Sequence, residues 1–142
     1  MCRKALLIGS SIATSLFATS SFAEDKATQY GNALNNVHME LAVCTAYFTN
    51  VVHCAPAEHQ KEVREKTKPV LESMSKSALR IAKTIGLTQD AMASRLLMAT
   101  EEQTKLMNNS CVNLSSLYTR HGQRCKQLGE NPDSVLLEHM KR

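Results

Sequence analysis

The chain has 142 residues, a formal net charge of +4 and only 4% aromatic residues, with no tryptophan. That length suits one domain able to bury a real core. So small a charge and so few rings leave neither a basic footprint nor a stacking platform, which points away from a nucleic-acid partner.

In chain order, the first segment reads as a cleaved secretory leader over residues 1–23. Arg3 and Lys4 form a short positive start, Ala5 to Ala18 an apolar run, and Ser21-Phe22-Ala23 a small-x-small cleavage site. The run is interrupted by Ser10, Ser11, Thr14 and Ser15 and is short for a bilayer span. Cys2 precedes the run instead of following it, unlike a lipoprotein anchor. Cleavage between Ala23 and Glu24 leaves residues 24–142 as a single helical domain, with 15 Lys+Arg against 13 Asp+Glu and a net charge of +2. No later run is long enough to cross a membrane, so a secreted or periplasmic location with no membrane span after cleavage is expected.

From Asp25 to about Cys54, apolar positions fall at Tyr30, Leu34, Val37, Leu41, Cys44, Phe48, Val51 and Ala55, alternating steps of 4 and 3. This spacing predicts a long helix, capped at Asp25 or Thr28 and stopped by Pro56. A second helix is expected to open at Pro56-Ala57-Glu58 and to bury Val63, Thr67, Val70, Met74, Ala78, Ile81 and Ile85, with Pro69 kinking or splitting it near Thr67. Gly86 and Thr88 mark a junction, one as a left-handed C-terminal cap and the other as the next N-cap. A third helix follows from Gln89 to Leu128, with bends suspected at Asn108-Asn109-Ser110 and at Gly122. The segment Gly129-Glu130-Asn131-Pro132-Asp133 ends it and starts a short last helix, with Asn131 as N-cap and Pro132 at the first position. The fold class is therefore all-α: an antiparallel bundle of three long helices plus a short C-terminal helix.

Once the leader is gone, four cysteines remain, Cys44, Cys54, Cys111 and Cys125, and an even count in an exported chain reads as two disulfides. Cys44 and Cys54 lie roughly 15 Å apart along one helix, beyond the roughly 7 Å that a disulfide spans between Cα atoms. If the third helix runs parallel to the first, the order of pairing is Cys44 with Cys111 and Cys54 with Cys125. The crossed pairing demands far more adjustment, and a local Cys111–Cys125 bond, with the third helix turning back between them, is the alternative. Either way the bonds read as clamps of a scaffold.

His53 beside Cys54, and His121 four residues before Cys125, are the candidates for zinc or copper ligation if those cysteines meet. A cysteine held in a disulfide is no thiolate ligand, however, and neither CxxC nor HxxxH accompanies them, so no metal and no cofactor is expected. The scattered methionines read as core filling. The mixed charges of Glu58 to Lys83 read as a solvated face that could also serve as a docking face. His38, His53, His59, His121 and His139 are of the residue type that serves a response to mild acid. No nucleophile elbow, metal-hydrolase pair, phosphate loop or haem motif is present, so no catalytic residues are assigned and no enzyme is expected. The expected role is a small exported, disulfide-stabilised protein acting through an unknown protein partner as a binding or structural module. The alternatives are a periplasmic metal-binding or acid-stress protein and an enzyme of unrecognised type.

Overall fold

A computed structural model of the chain describes residues 20–141, with only the backbone given for 20–24. The expected leader thus lies outside the described residues apart from its last four. Ala23 and Glu24 fall in the opening turns of α1 (Ser20–His53). That helix starts ahead of both expected caps, because nothing between Ser20 and Thr28 breaks a helix.

Helix α1 is the mast of the fold, and every later helix leans on it. Leu34, Val37, Leu41 and Cys44 are buried as the apolar spacing predicts, while Tyr47 is buried more deeply than Phe48. A second stripe, His38, Ala42, Ala46 and Asn50, recurs every four residues and is buried as well. Its mixture of small and polar side chains carries no hydrophobic signal, which hides a second contact face in the sequence.

Helix α2 (Gln60–Ile85) runs back along α1, starting after a turn in which the His59 N–H donates to Pro56 O at 2.9 Å. It passes through Pro69 without a break, with Thr67 Oγ1 donating to Val63 O at 2.8 Å one turn earlier. Its end matches the expected junction. Gly86 takes φ 69°, the Leu87 N–H reaches Ala82 O at 2.8 Å, and Thr88 Oγ1 accepts from the Ala91 N–H at 3.2 Å. Helix α3 (Gln89–Leu106) then runs parallel to α1.

The expected third long helix does not continue. Asn108 and Asn109 adopt φ 52° and 56°, and the Asn109 N–H closes on Thr104 O at 2.9 Å. Asparagine tolerates this left-handed region better than most residues, so the pair makes a full reversal where a bend was expected. A 3-10 turn at Cys111–Asn113 leads into α4 (Leu114–Leu117), a π-helical segment at Tyr118–Gly122 and α5 (Gln123–Glu130), all descending along α1. Helix α6 (Pro132–Met140) closes the bundle, with Asn131 Oδ1 accepting from the Ser134 N–H at 3.1 Å. Helix α5 ends at Glu130, within the expected junction of residues 129–133, and Gly129 lies in its last turn, where an added Cβ would lie 2.9 Å from Val70 Cγ1 on α2.

This reversal overturns the expected disulfide order. The bonds are Cys44–Cys125 and Cys54–Cys111, with Cα separations of 5.1 and 5.2 Å. Antiparallel neighbours meet in reverse order, so the pairing dismissed for parallel helices becomes the natural one. The local Cys111–Cys125 bond is absent because the chain turns before Cys111 and both cysteines ride the same descending segment. The all-α class, the antiparallel bundle and the two disulfides stand.

Candidate functional site

The four described cysteines are bonded, so none of them offers a thiolate. The reversed pairing also separates the two candidate ligand histidines. His53 flanks the Cys54–Cys111 bond, whereas His121 stands one turn from Cys125, whose partner Cys44 lies ten residues below Cys54 on α1. Among the described residues, no group of three or more His, Cys, Asp or Glu side chains is arranged to hold a metal.

The charged side chains packed around α1 form a tie rather than a site. Arg124 on α5 grips Glu40 through Nε and Nη2 at 2.7 and 3.1 Å and donates from Nη1 to Glu138 of α6 at 2.6 Å. His139 Nε2 completes the contact with Glu40 at 2.8 Å. Burial alone would raise the Glu40 pKa, but the hydrogen bonds from Arg124 and His139 outweigh it and hold the carboxyl below its usual range. These bonds tie α1, α5 and α6 together.

The open chemistry lies between α2 and α3. These helices share the short turn at residues 86–88 and each packs along α1, yet they barely touch one another. The gap is a groove of about 430 Å³, within the usual range for ligand cavities. His38, Leu41, Ala42 and Thr45 of α1 make its floor. Ser75, Ala78 and Leu79 line one wall, and Gln89, Met92, Ala93 and Leu96 the other. At the rim, Leu96 of α3 is 39% exposed and Leu79 across the gap is 59% exposed. A run of large apolar side chains turned to solvent beside a concave surface is the mark of a contact site.

The floor holds an unmet donor. His38 is 2% exposed, and its Nδ1 lies 3.2 Å from Arg95 Nη1. A guanidinium only donates, so Nδ1 accepts and the neutral imidazole carries its proton on Nε2. Burial first, and then the charge of Arg95, push the His38 pKa below its ordinary value. That Nε2–H is buried and has no partner among the described residues. Leaving such a donor unpaired costs about 1–3 kcal/mol. Arg95 itself is half-buried, bonded only to neutral acceptors, with Nη2 donating to Asn35 Oδ1 at 2.6 Å. No carboxylate lies within ion-pair distance of it among the described residues. Farther up the same interface, by contrast, the polar groups are matched: Asn50 Nδ2 donates to Gln103 Oε1 at 3.1 Å, and Gln103 Nε2 to Val43 O at 2.7 Å.

A second concavity, about 690 Å³, opens beside the π-helical segment among Tyr47, Phe48, Tyr118 and Gly122. It holds no unpaired buried polar group among the described residues.

Neither Arg95 nor the groove stood out in the sequence, and His38 was only one of five histidines. The available signal was positional: an arginine set among Met92, Leu96 and Ala99 on the inward face of α3, and a histidine four residues from Leu34 and from Ala42.

The fold and its bonds define a small disulfide-stapled helical protein of the oxidising, extracellular type. Among the described residues, no helix is long and apolar enough to cross a membrane. No family model, no curated protein and no solved structure matches the chain.

Proposed function

We propose that this is an exported binding protein, secreted or periplasmic, that works without catalysis through the groove between α2 and α3. The observation that carries the reading is the groove itself. Two helices are held apart over a floor of His38, Leu41, Ala42 and Thr45, with Leu79 and Leu96 on the rim and one unmatched donor, the His38 Nε2–H, beneath. Export is supported by the leader-like residues 1–23 and by the two disulfides. The absence of a catalytic motif in the sequence and the bonding of the four described cysteines support binding over turnover.

Ala93, exposed on the α3 wall, gives the test, since Ala93→Trp fills the groove without entering the core. Wild-type protein is expected to enhance the fluorescence of anilinonaphthalene sulfonate, and Ala93→Trp to lose that enhancement while melting at the wild-type temperature. Equal enhancement by both would place binding elsewhere. An acid response is a second reading, supported by His38, buried in its neutral form against a cation.

A further inference from the structure

The cavity beside the π-helical segment is walled by rings. Tyr47 and Phe48 of α1 stand with centroids 5.0 Å apart and 66° between their planes, Val70 of α2 and Tyr118 complete the apolar lining, and Tyr118 is 70% exposed. Tyr47 as a residue is 5% exposed, yet its hydroxyl opens on the cavity and bonds to nothing among the described residues. Burial first, and then Tyr118, raise its pKa, so the phenol keeps its proton and can both donate and accept. Gly122 leaves that hydroxyl free. Its φ of −55° and ψ of −50° suit any residue, so the backbone does not require glycine there, and glycine inside a helix is destabilising relative to alanine. A side chain would crowd the cavity instead, because an added Cβ would lie 3.4 Å from Tyr47 Oη and 3.3 Å from Tyr118 Cδ2. The two charged residues of the lining, Lys126 and Glu130, lie 4.0 Å apart and offset one another. An open phenol among aromatic walls of no net charge matches a flat, neutral ring that carries a hydrogen-bonding oxygen. A sugar asks for several converging polar groups, and here Thr119 Oγ1 is already turned to Ser115 O at 3.0 Å.

We propose that this cavity is a second binding site, which takes a neutral, phenol-like aromatic molecule. The ring of the ligand packs against Phe48 and Tyr118, and its oxygen accepts from the Tyr47 hydroxyl. The site is separate from the groove between α2 and α3, since the two share no lining residue. Its failure would leave the groove untouched.

The test is titration of the disulfide-bonded protein with p-cresol, toluene, 4-methylcyclohexanol and methyl glucoside, followed through amide shifts by NMR. Shifts are expected to centre on Gly122, Gln123 and Lys126. Binding of p-cresol should be about fivefold tighter than that of toluene, the worth of one neutral hydrogen bond, and about fivefold tighter than that of 4-methylcyclohexanol, the worth of one aromatic pairing. Tyr47→Phe, which keeps the buried ring and removes only the hydroxyl, should erase the preference for p-cresol over toluene. Tyr118→Ala should weaken both aromatic ligands, and Gly122→Leu, which fills the cavity, should abolish their binding. Helix content and melting temperature, read alongside, show that each variant is folded. Binding of none of the four, tighter binding of methyl glucoside, or equal affinity for p-cresol and 4-methylcyclohexanol would overturn the aromatic ligand. A preference that survives Tyr47→Phe would overturn the part given to the hydroxyl. Shifts confined to Ser75–Leu79 and Met92–Leu96 would put the ligand in the groove and overturn the second site.

Discussion

His38 makes acid the weak side of this protein. Its folded pKa lies below the ordinary 6.5, so as pH falls through that value the unfolded chain takes up the proton first. Stability then drops until the folded imidazole is also protonated. His121, lowered mainly by burial and then by Arg120 against an opposing pull from Glu102, acts with the same sign. Glu40 enters later: its stabilisation is present above 4.5 and lost as pH falls through its lower folded value. Thermal melts from neutral pH to below 4.5 should show a decline in two stages. His38→Gln, which still accepts from Arg95 but cannot titrate, should flatten the first stage; an unchanged slope would remove His38 as its source. Two glycines give a contrast at the same scale. Gly129→Ala should destabilise by about 1–2 kcal/mol, since the new Cβ meets the stiff Val70 side chain at 2.9 Å. Gly31→Ala, with nothing within 4 Å inside α1, should stabilise by about 0.5–1 kcal/mol, both variants being compared with wild type by denaturant titration.

At the scale of elements, two features of the chain behave in opposite ways. Pro69 sits exposed in the interior of α2, where it removes a backbone donor without ending the helix. Pro69→Ala should therefore raise stability, by up to about 3 kcal/mol, and a loss would mean that the proline shapes the path of α2 past α5. The Asn108-Asn109 turn carries the larger consequence, because it alone makes α4 and α5 descend. Asn109→Val should cost about 1–2 kcal/mol for a β-branched residue held at positive φ, while Asn109→Gly should be near neutral by the same measurement. These elements also show what the sequence makes legible. The caps at Gly86, Thr88 and Asn131 rest on chemistry within a few residues, and each forms where local pattern places it. Asn108-Asn109-Ser110 signals only that the chain departs from a helix. Whether it bends slightly or turns back depends on which surface α4 and α5 can cover, and that surface belongs to α1.

On the scale of the whole molecule, the disulfides join α1 to the descending segment at two levels, across sequence separations of 81 and 57 residues. Restricting the unfolded chain across loops of that length is worth about 4 to 4.5 kcal/mol for each bond on the chain-entropy estimate. Cys44 and Cys125 are both 1% exposed, so removing them also opens a void in the core, whereas Cys54 and Cys111 lie nearer the surface. Cys44→Ala/Cys125→Ala should accordingly lower the melting temperature more than Cys54→Ser/Cys111→Ser. Non-reducing peptide mapping should recover Cys44 linked to Cys125, and a Cys44–Cys111 peptide would contradict the descending α4 and α5.

The helical class, the long first helix, the caps at Gly86, Thr88 and Asn131 and the four cysteines of two disulfides were legible in the sequence alone. Each follows from spacing along one helix or from chemistry within a turn, and such information is local. Tertiary structure decided the sense of the last long segment, and with it the pairing of the cysteines and the parting of His53 from His121. It also decided the groove. The second face of α1 is built from His38, Ala42, Ala46 and Asn50, residues whose burial no hydrophobic period announces. Arg95 has a defined role only because α3, running parallel to α1, sets its guanidinium beside His38. Contacts between distant segments depend on helix direction, and here two consecutive asparagines at positive φ set that direction for α4 and α5.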